Sequence, residues 1–537
     1  MPKTQKLTVK ALTLLGLSSA SFAATFTVNS TSDLASQNCT GGACSLRGAL
    51  IAANLTAAED IIAFNISQAD PGFQASTQHW RINVGSTELP SVEQAVVIDG
   101  YTQPGAIANT LTPAQGGLNS VLKIEIQGNV NSSLVAFNLL GYTAAMPSSF
   151  RGLVINGFQI SQILLTGGVA HRVEGCYIGT DVLGQTALPG NIGINIGPGR
   201  TNYQIGGLLP AQRNLIASQQ NTAINGFNQT GFAQEYVDLV IQGNLIGLNR
   251  QGSAALLNLN PSAAAIRFLK PMRNSLIGGS VANARNVISG YGAGAIQLDS
   301  LNDATGNLDT RIEGNYIGTD VTGTLAIGNG FTSPPQPTAA PAIGINGAIC
   351  DFTIGGSAAG QANLIAYSAG TGIVVNKCTG VQMPFNRFFA NRSGAVDLIL
   401  DSTSMGATAN DVNDPDEGGN RFQNFPELTL PAVGSNTLTY RVDTTAANGK
   451  YPITVYFYRA GCDGGSATYL TSATISAAQA QLALTLDTTQ LGNIRPLTAV
   501  AVDDAGNTSE FAPVQDEAIM RSGFENTLAP LVPGICQ

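Results

Sequence analysis

Residues 314–324 read GNYIGTDVTGT, and residues 175–186 give the near copy GCYIGTDVLGQT. Each copy closes a short apolar run with a carboxylate, Asp320 and Asp181. Such an acid is either catalytic, held in a repeated cradle, or the residue with which a repeating fold turns its corners. The period of the repeat separates the two readings, because it sets how far apart equivalent residues lie.

A third copy, GNLIGLN, begins at Gly243. A degenerate fourth, MPFNRFFAN, places Asn386 as far beyond Asn315 as Asn315 lies beyond Asn244. A second family keeps the same beat: QIGG…RNLIA from Gln204, LIGG…RNVIS from Leu276 and TIGG…ANLIA from Thr353. Its asparagines are Asn214, Asn286 and Asn363, and the second interval is slightly the longer because it holds a proline-rich insertion, FTSPPQPTAAP, at Phe331–Pro341. Smaller runs such as GINI at Gly193, AIRF at Ala265, AIQL at Ala295 and GIVV at Gly372 fall between. About three such runs fit each long unit, which predicts roughly 22–25 residues per turn of a solenoid.

Runs of four residues suit strands and are too short for helices. Alternation buries Ile194 and Ile196 and turns Asn195 outward. Glycine and asparagine supply left-handed corners. One turn of chain cannot bury its own apolar face, whereas turns stacked about 4.8 Å apart can. The expected fold is all-β, a parallel β-helix. Asn244, Asn315 and Asn386 are predicted to stack as an inward asparagine ladder, with Cys176 in that place in the first unit. Asp181 and Asp320 then lie about six turns apart, roughly 29 Å, whereas a glycosidase dyad needs about 5–9.5 Å. The unit between them carries Asn249. Glu174 and Glu313 share the same spacing, with Gln242 between. These acids read as solvated rim residues, and no catalytic residue is assigned.

Only 11% of the 537 residues are charged, with a net charge of −9 and no Lys/Arg cluster. That balance argues against nucleic acid and against an anionic membrane surface as partners. The first residues, MPKTQKLTVKALTLLGLSSASFAA, combine a basic start, a short apolar run and a small-residue cleavage site, so residues 1–23 read as a secretory signal. No later stretch holds the roughly 20 continuous apolar residues of a transmembrane helix. An exported chain can keep disulfides. Cys39 and Cys44 close a tight CTGGAC loop. Cys350 and Cys378 are separated by the same interval as Gly344 and Gly372, so they occupy equivalent places in consecutive turns. Stacking brings such Cα atoms to about 5 Å, within disulfide range. Cys462 and Cys536 form a further candidate pair whose geometry nothing fixes.

The segment FTVNSTSDLASQNCTGGACSLRGALIAAN (Phe26–Asn54), with VVIDGYTQPGA (Val96–Ala106) and the GNYIGTD units, resembles the bacterial CSLREA-domain proteins. The resemblance spans most of residues 25–430, with Gly48 standing where the motif has glutamate. It implies an exported right-handed parallel β-helix related to polymorphic outer-membrane-protein repeats. Within it, Ser45–Asn54 reads as a short helix with Leu46, Leu50 and Ile51 apolar, a plug for the open first turn. Arg47 on that helix serves packing or charge pairing.

The predicted organisation is an N-terminal cap at 24–60, the β-helix at 61–409, an acidic linker at 410–428, a β-sandwich at 429–515 and a tail at 516–537. In the linker, Asp411, Asn413, Asp414, Asp416 and Glu417 offer oxygen ligands that suit Ca²⁺, but without an EF-hand pattern the stretch reads first as a solvated turn, with Ca²⁺ as the alternative. In the sandwich, YPITVYFYRAG, QLALTLD and LTAVAVDDAGNTSEF alternate with period two. The end of the last stretch resembles bacterial immunoglobulin-like modules. The Asp503–Asp504 pair reads as an exposed turn. The two histidines, His79 and His171, sit in no motif of the pectin-acting β-helix enzymes, and His79 with Trp80 reads as an early loop. The expected function is therefore an exported or surface-displayed, non-enzymatic β-helix that is structural or binds glycans or other cell-surface components. A polysaccharide lyase or glycoside hydrolase acting along the coil flank is the alternative. No cofactor is implied beyond the Ca²⁺ candidate.

Overall fold

Arg172–Glu174, Tyr177–Ile178 and Ile192–Ile196 make one circuit of the chain, and Gln204–Gly206, Leu215–Ile216 and Ile224–Gly226 the next. Each strand lies parallel to its counterpart one circuit earlier. Repetition of this path builds three long parallel sheets, the arrangement of a parallel β-helix. The computed structural model describes residues 23–515 except 36–38, 40, 140–141, 143–145, 189, 201, 218–219, 228–234, 259, 300–306, 333–335, 338–339, 348–349, 402–405, 432–434, 461–465 and 493. The segment read as a secretory signal, Cys462, Cys536 and the tail lie outside the described residues. Among the described residues no helix is long and apolar enough to cross a membrane.

The turn is longer than the sequence suggested. Arg172 pairs with Gln204, Gln204 with Val240, Val240 with Leu276 and Leu276 with Arg311, so a turn takes 32–36 residues. The long sequence repeat is two turns, not three. Alternate turns differ in where they bulge. One kind turns a corner after its second strand, at 181–187, 249–255 and 320–326; the other carries a 3-10 excursion before it, at Pro210–Gln212 and Ala282–Ala284. The alternation of these two decorations makes the sequence period twice the structural one.

The strands form where aliphatic residues stack on themselves. Ile194 pairs with Ile224, then Ile266, Ile296, Ile343 and Ile373, all essentially inaccessible. Each buried isoleucine is worth about 1.5–3 kcal/mol relative to exposure. Asn195 points away from this core as alternation requires, but it is covered, accepting a hydrogen bond from the Asn225 amide one turn on (2.8 Å). The second sheet is apolar on both faces. Tyr177, Leu215, Leu245 and Val287 lie on its outside, under Leu118, Leu122 and Val321. The corner loops thus cover a sheet face as well as reverse the chain.

At the N-terminus, the helix Leu46–Ala53 forms as expected. Ser45 caps it by accepting from the Gly48 N–H (3.0 Å), a bond worth about 1 kcal/mol. Leu46 and Leu50 enter the coil core beside Val28, Ile62 and Phe64, while Ile51 stays 39% exposed. Arg47 is buried, its guanidinium on Asp33 (2.9 Å) and on the Thr87 and Glu88 carbonyls. The segment expected only to cap also supplies a strand, Thr25–Val28, paired with Asp60–Phe64. Cys39 and Cys44 lie at disulfide distance (Cα–Cα 4.4 Å), as do Cys350 and Cys378 (5.5 Å).

Beyond the coil, two antiparallel sheets share one core of Leu438, Tyr440, Val455, Phe457 and Ala499. One contains Glu427–Thr429, Thr437–Arg441 and Leu484–Asp487; the other Ile453–Ala460, Ser466–Ile475 and Leu497–Val502. The first strand therefore begins inside the segment read as linker. This unit docks on the open end of the coil, where unpaired backbone donors would otherwise remain. Asn507 Oδ1 accepts from the Gly380 N–H (2.8 Å), Thr508 Oγ1 from Met383 (2.9 Å), Asn420 Oδ1 from Val381 (3.0 Å) and Glu510 Oε1 from Leu398 (3.0 Å). Asp503, expected to be exposed, is buried and braces Asn507 through its backbone N–H and side-chain amide.

Candidate functional site

The asparagine column runs through the coil interior with twice the predicted density. The Asn214 amide donates to Asn244 Oδ1 (2.9 Å), Asn244 to Asn286 (3.0 Å), Asn286 to Asn315 (3.0 Å), Asn315 to Asn363 (3.0 Å) and Asn363 to Asn386 (2.9 Å). Asn244, Asn315 and Asn386 occupy alternate rungs, and the second family of echoes fills the rungs between. Cys176 opens the column, its N–H donating to Asn214 Oδ1 (2.9 Å). Burial pushes its thiol up to about 12, so it remains a thiol at neutral pH.

The corner acids have a comparable job. Asp320 Oδ1 accepts from the N–H groups of Thr324 (3.0 Å) and Leu325 (3.1 Å), and Asp181 Oδ1 from Gln185 (2.8 Å) and Thr186 (3.1 Å). Asn249 makes the same pair of bonds to Ser253 (3.0 Å) and Ala254 (3.2 Å) without a charge. An oxygen at this position is what the corner needs; ionisation is incidental. The acids are not uniformly solvated as the sequence suggested: Asp320 and Glu313 are each 2% exposed. Despite the cost of burial, the Thr322, Thr324 and Leu325 hydrogen bonds hold the Asp320 carboxyl below its usual range. With two turns between successive corners of this kind, at Asp181, Asn249 and Asp320, the two acids are four turns apart, about 19 Å rather than 29. That distance still exceeds any two-carboxylate geometry. We expect Asp320→Asn to change the coil's stability by less than about 1 kcal/mol, since Asn249 already performs the task. Matched denaturation curves check this, and a large loss would show that the charge itself matters.

The coil flank carries one further polar cluster and a cavity. His79 lies at the start of strand His79–Asn83, not in a loop, and is buried. Its Nε2 meets Glu125 (2.9 Å) and its Nδ1 meets Thr77 (2.7 Å); Arg81 (2.6 Å) and Asn156 (2.9 Å) complete the shell around Glu125. Those partners outweigh burial and bring the Glu125 carboxyl down to about 2. A carboxylate so neutralised is a poor base, and the cluster fastens the early turns. His171 is equally sealed, accepting from the Ser148 N–H (2.9 Å) at Nδ1 and meeting the Gly167 carbonyl at Nε2. Burial takes its imidazole down to about 4, so it stays neutral. Beside the corner column lies a cavity of about 400 Å³, lined by Ala255, Leu257, Gly290, Tyr291, Ile327 and Phe331. Leu257 there is half exposed, as is Leu325 on the next corner.

The acidic connector brings together part of the predicted set. Carboxylate oxygens of Asp411, Asp414 and Asp416 lie within 4.8 Å of one another. Asn413 is engaged elsewhere, its carbonyl with Asn448 (2.8 Å) and its side chain with Gln481, and Glu417 is exposed outside the group. The sequence did not reveal Thr444, which approaches Asp414 from the sandwich, nor the coil-closing roles of Asn420, Asn507, Thr508 and Glu510. The closest available signal was the polar phrase DDAGNTSEF, read only as a sheet edge.

Searches against protein-family models and against curated proteins find no match for this chain.

Proposed function

We propose that this chain is an exported, surface-displayed, non-enzymatic protein in which a right-handed β-helix, plugged by its N-terminal helix and stoppered by an immunoglobulin-like sandwich, presents a glycan- or cell-surface-binding flank. The CSLREA-like N-terminal segment supports the family and the handedness. The two cysteine pairs support an oxidising, extracellular compartment. The observation that carries the non-enzymatic reading is the equivalence of Asp181, Asn249 and Asp320. The most conspicuous repeated acids bond the N–H groups of their own corners, and the uncharged Asn249 does the same. The cavity beside that column, with Phe331 and Leu257 at its wall, is where the flank would receive a ligand.

The test is incubation of the purified chain with uronic-acid and neutral polysaccharides, alongside a glycan array and whole cells. Binding without release of oligosaccharides is expected, and Leu257→Asp should weaken it. Release of oligosaccharides would move the reading to a lyase or hydrolase.

A further inference from the structure

At the joint between coil and sandwich, three acids converge without any basic partner. Among the described residues no salt bridge reaches Asp411, Asp414 or Asp416. Asp414 is 7% exposed, accepting from the Asn424 N–H (3.1 Å) and the Gln423 amide (3.0 Å). One carboxylate oxygen on each of Asp411 and Asp416 is sealed from solvent and has no hydrogen-bond partner. A separate element adds a fourth oxygen. Thr444, at the edge of the sandwich and 0% exposed, has its hydroxyl beside the Asp414 carboxyl and no partner outside this group. Orphaned buried oxygens are costly, at about 1–3 kcal/mol each. Natural structures leave such groups empty-handed chiefly where an ion or water belongs.

We infer that Asp411, Asp414, Asp416 and Thr444 form a cation site for Ca²⁺ that fastens the sandwich to the end of the coil. The donor set is all oxygen and carries up to three negative charges, which suits a hard divalent ion. Its scatter over a connector and a second domain suits the flexible coordination of Ca²⁺ better than the strict octahedron of Mg²⁺. The surroundings tie the site to both units. Asn424 donates to the Asp411 carbonyl (2.9 Å) and to the Asp443 carbonyl of the sandwich (2.7 Å), while Asn448 reaches back to Asn413 (2.8 Å). An ion here would draw already adjacent segments together.

The full chain, stripped with EDTA, would be titrated with CaCl₂ by calorimetry and with Tb³⁺ by luminescence excited through tyrosine. Tyr451 is the local antenna, its hydroxyl donating to the Thr444 carbonyl (3.0 Å). One Ca²⁺ per chain is expected, with a raised Tm, together with Tb³⁺ emission that Ca²⁺ quenches and equimolar Mg²⁺ does not. Asp416→Asn and Thr444→Val should each weaken binding, the first at least tenfold, whereas the exposed Asp504→Asn should not. Absence of both heat and Tb³⁺ emission in the unaltered protein would overturn the inference, whether or not the variants fold. Equal affinity of folded Asp416→Asn and the unaltered chain would do the same.

Discussion

Asn315→Leu is expected to cost the coil about 4–6 kcal/mol, among the largest losses a single substitution produces. The asparagine amide donates to the Ile277 carbonyl (2.9 Å), the Glu313 carbonyl (3.0 Å) and Asn363 Oδ1, while its own Oδ1 accepts from both the backbone and the side chain of Asn286. All of these groups are buried. Leucine is close in volume, so the loss is polar rather than a cavity effect: the Ile277 carbonyl, the Asn286 backbone N–H and one Asn286 amide N–H lose their partner, at about 1–3 kcal/mol apiece, while the Glu313 carbonyl keeps the Gly279 N–H. The position also lies mid-column, so the defect interrupts a chain of bonds in which each member polarises the next. Asn225→Leu on the outer surface, which breaks only the bond to Asn195, should cost less than about 1 kcal/mol. Urea unfolding of the coil, followed by circular dichroism, compares the two. Similar midpoint shifts for both variants would mean that the inner column is not what holds the turns in register.

The same column shows what the sequence disclosed and what it withheld. Strand character, stacking and inward asparagines were readable because Ile-x-Ile alternation and Gly/Asn corners are local signals. The turn length was not. Both kinds of turn present a strand, a glycine and an asparagine, and the short apolar runs, which lie in one sheet at one per circuit, were allotted three to each long unit where the structure has two. The error halved the ladder's density and stretched the Asp181–Asp320 distance, yet left the conclusion about the acids intact. His79 was misread as a loop residue because its partner Glu125 lies 46 residues away, on the next turn. The coil-closing side chains were invisible for the same reason at greater range: Leu398 and Glu510 are 112 residues apart. The connector acids were legible because they sit close together in one short stretch of chain, but Thr444, which completes their environment, arrives through the tertiary fold alone.

Glu510→Gln is expected to lessen the pH dependence of stability, because Glu510 is a buried ionisable group that ties the joint together. Its two oxygens accept from the Leu398 N–H (3.0 Å) and the Thr408 N–H (2.9 Å), pinning the sandwich to the last coil strand. Burial raises the carboxyl from its ordinary value to about 7; those N–H bonds pull the other way, and Asp397 on the coil strand adds like charge. Asp397 is itself raised by burial, with one oxygen unpartnered. In the unfolded chain Glu510 ionises near 4.3. Between that value and about 7 the folded state binds the extra proton, so stability is fully present below the unfolded pKa and declines as pH rises through the folded one. For Glu510 alone the decline from pH 5 to pH 8 is about 2–3 kcal/mol. Denaturant unfolding in EDTA at the two pH values should show the unaltered chain losing that much more than Glu510→Gln does. The trend runs opposite to ordinary acid denaturation, in which paired carboxylates lose their partners as pH falls. Parallel slopes for the two proteins would place the titration elsewhere and leave Glu510 as a simple hydrogen-bond acceptor at the joint.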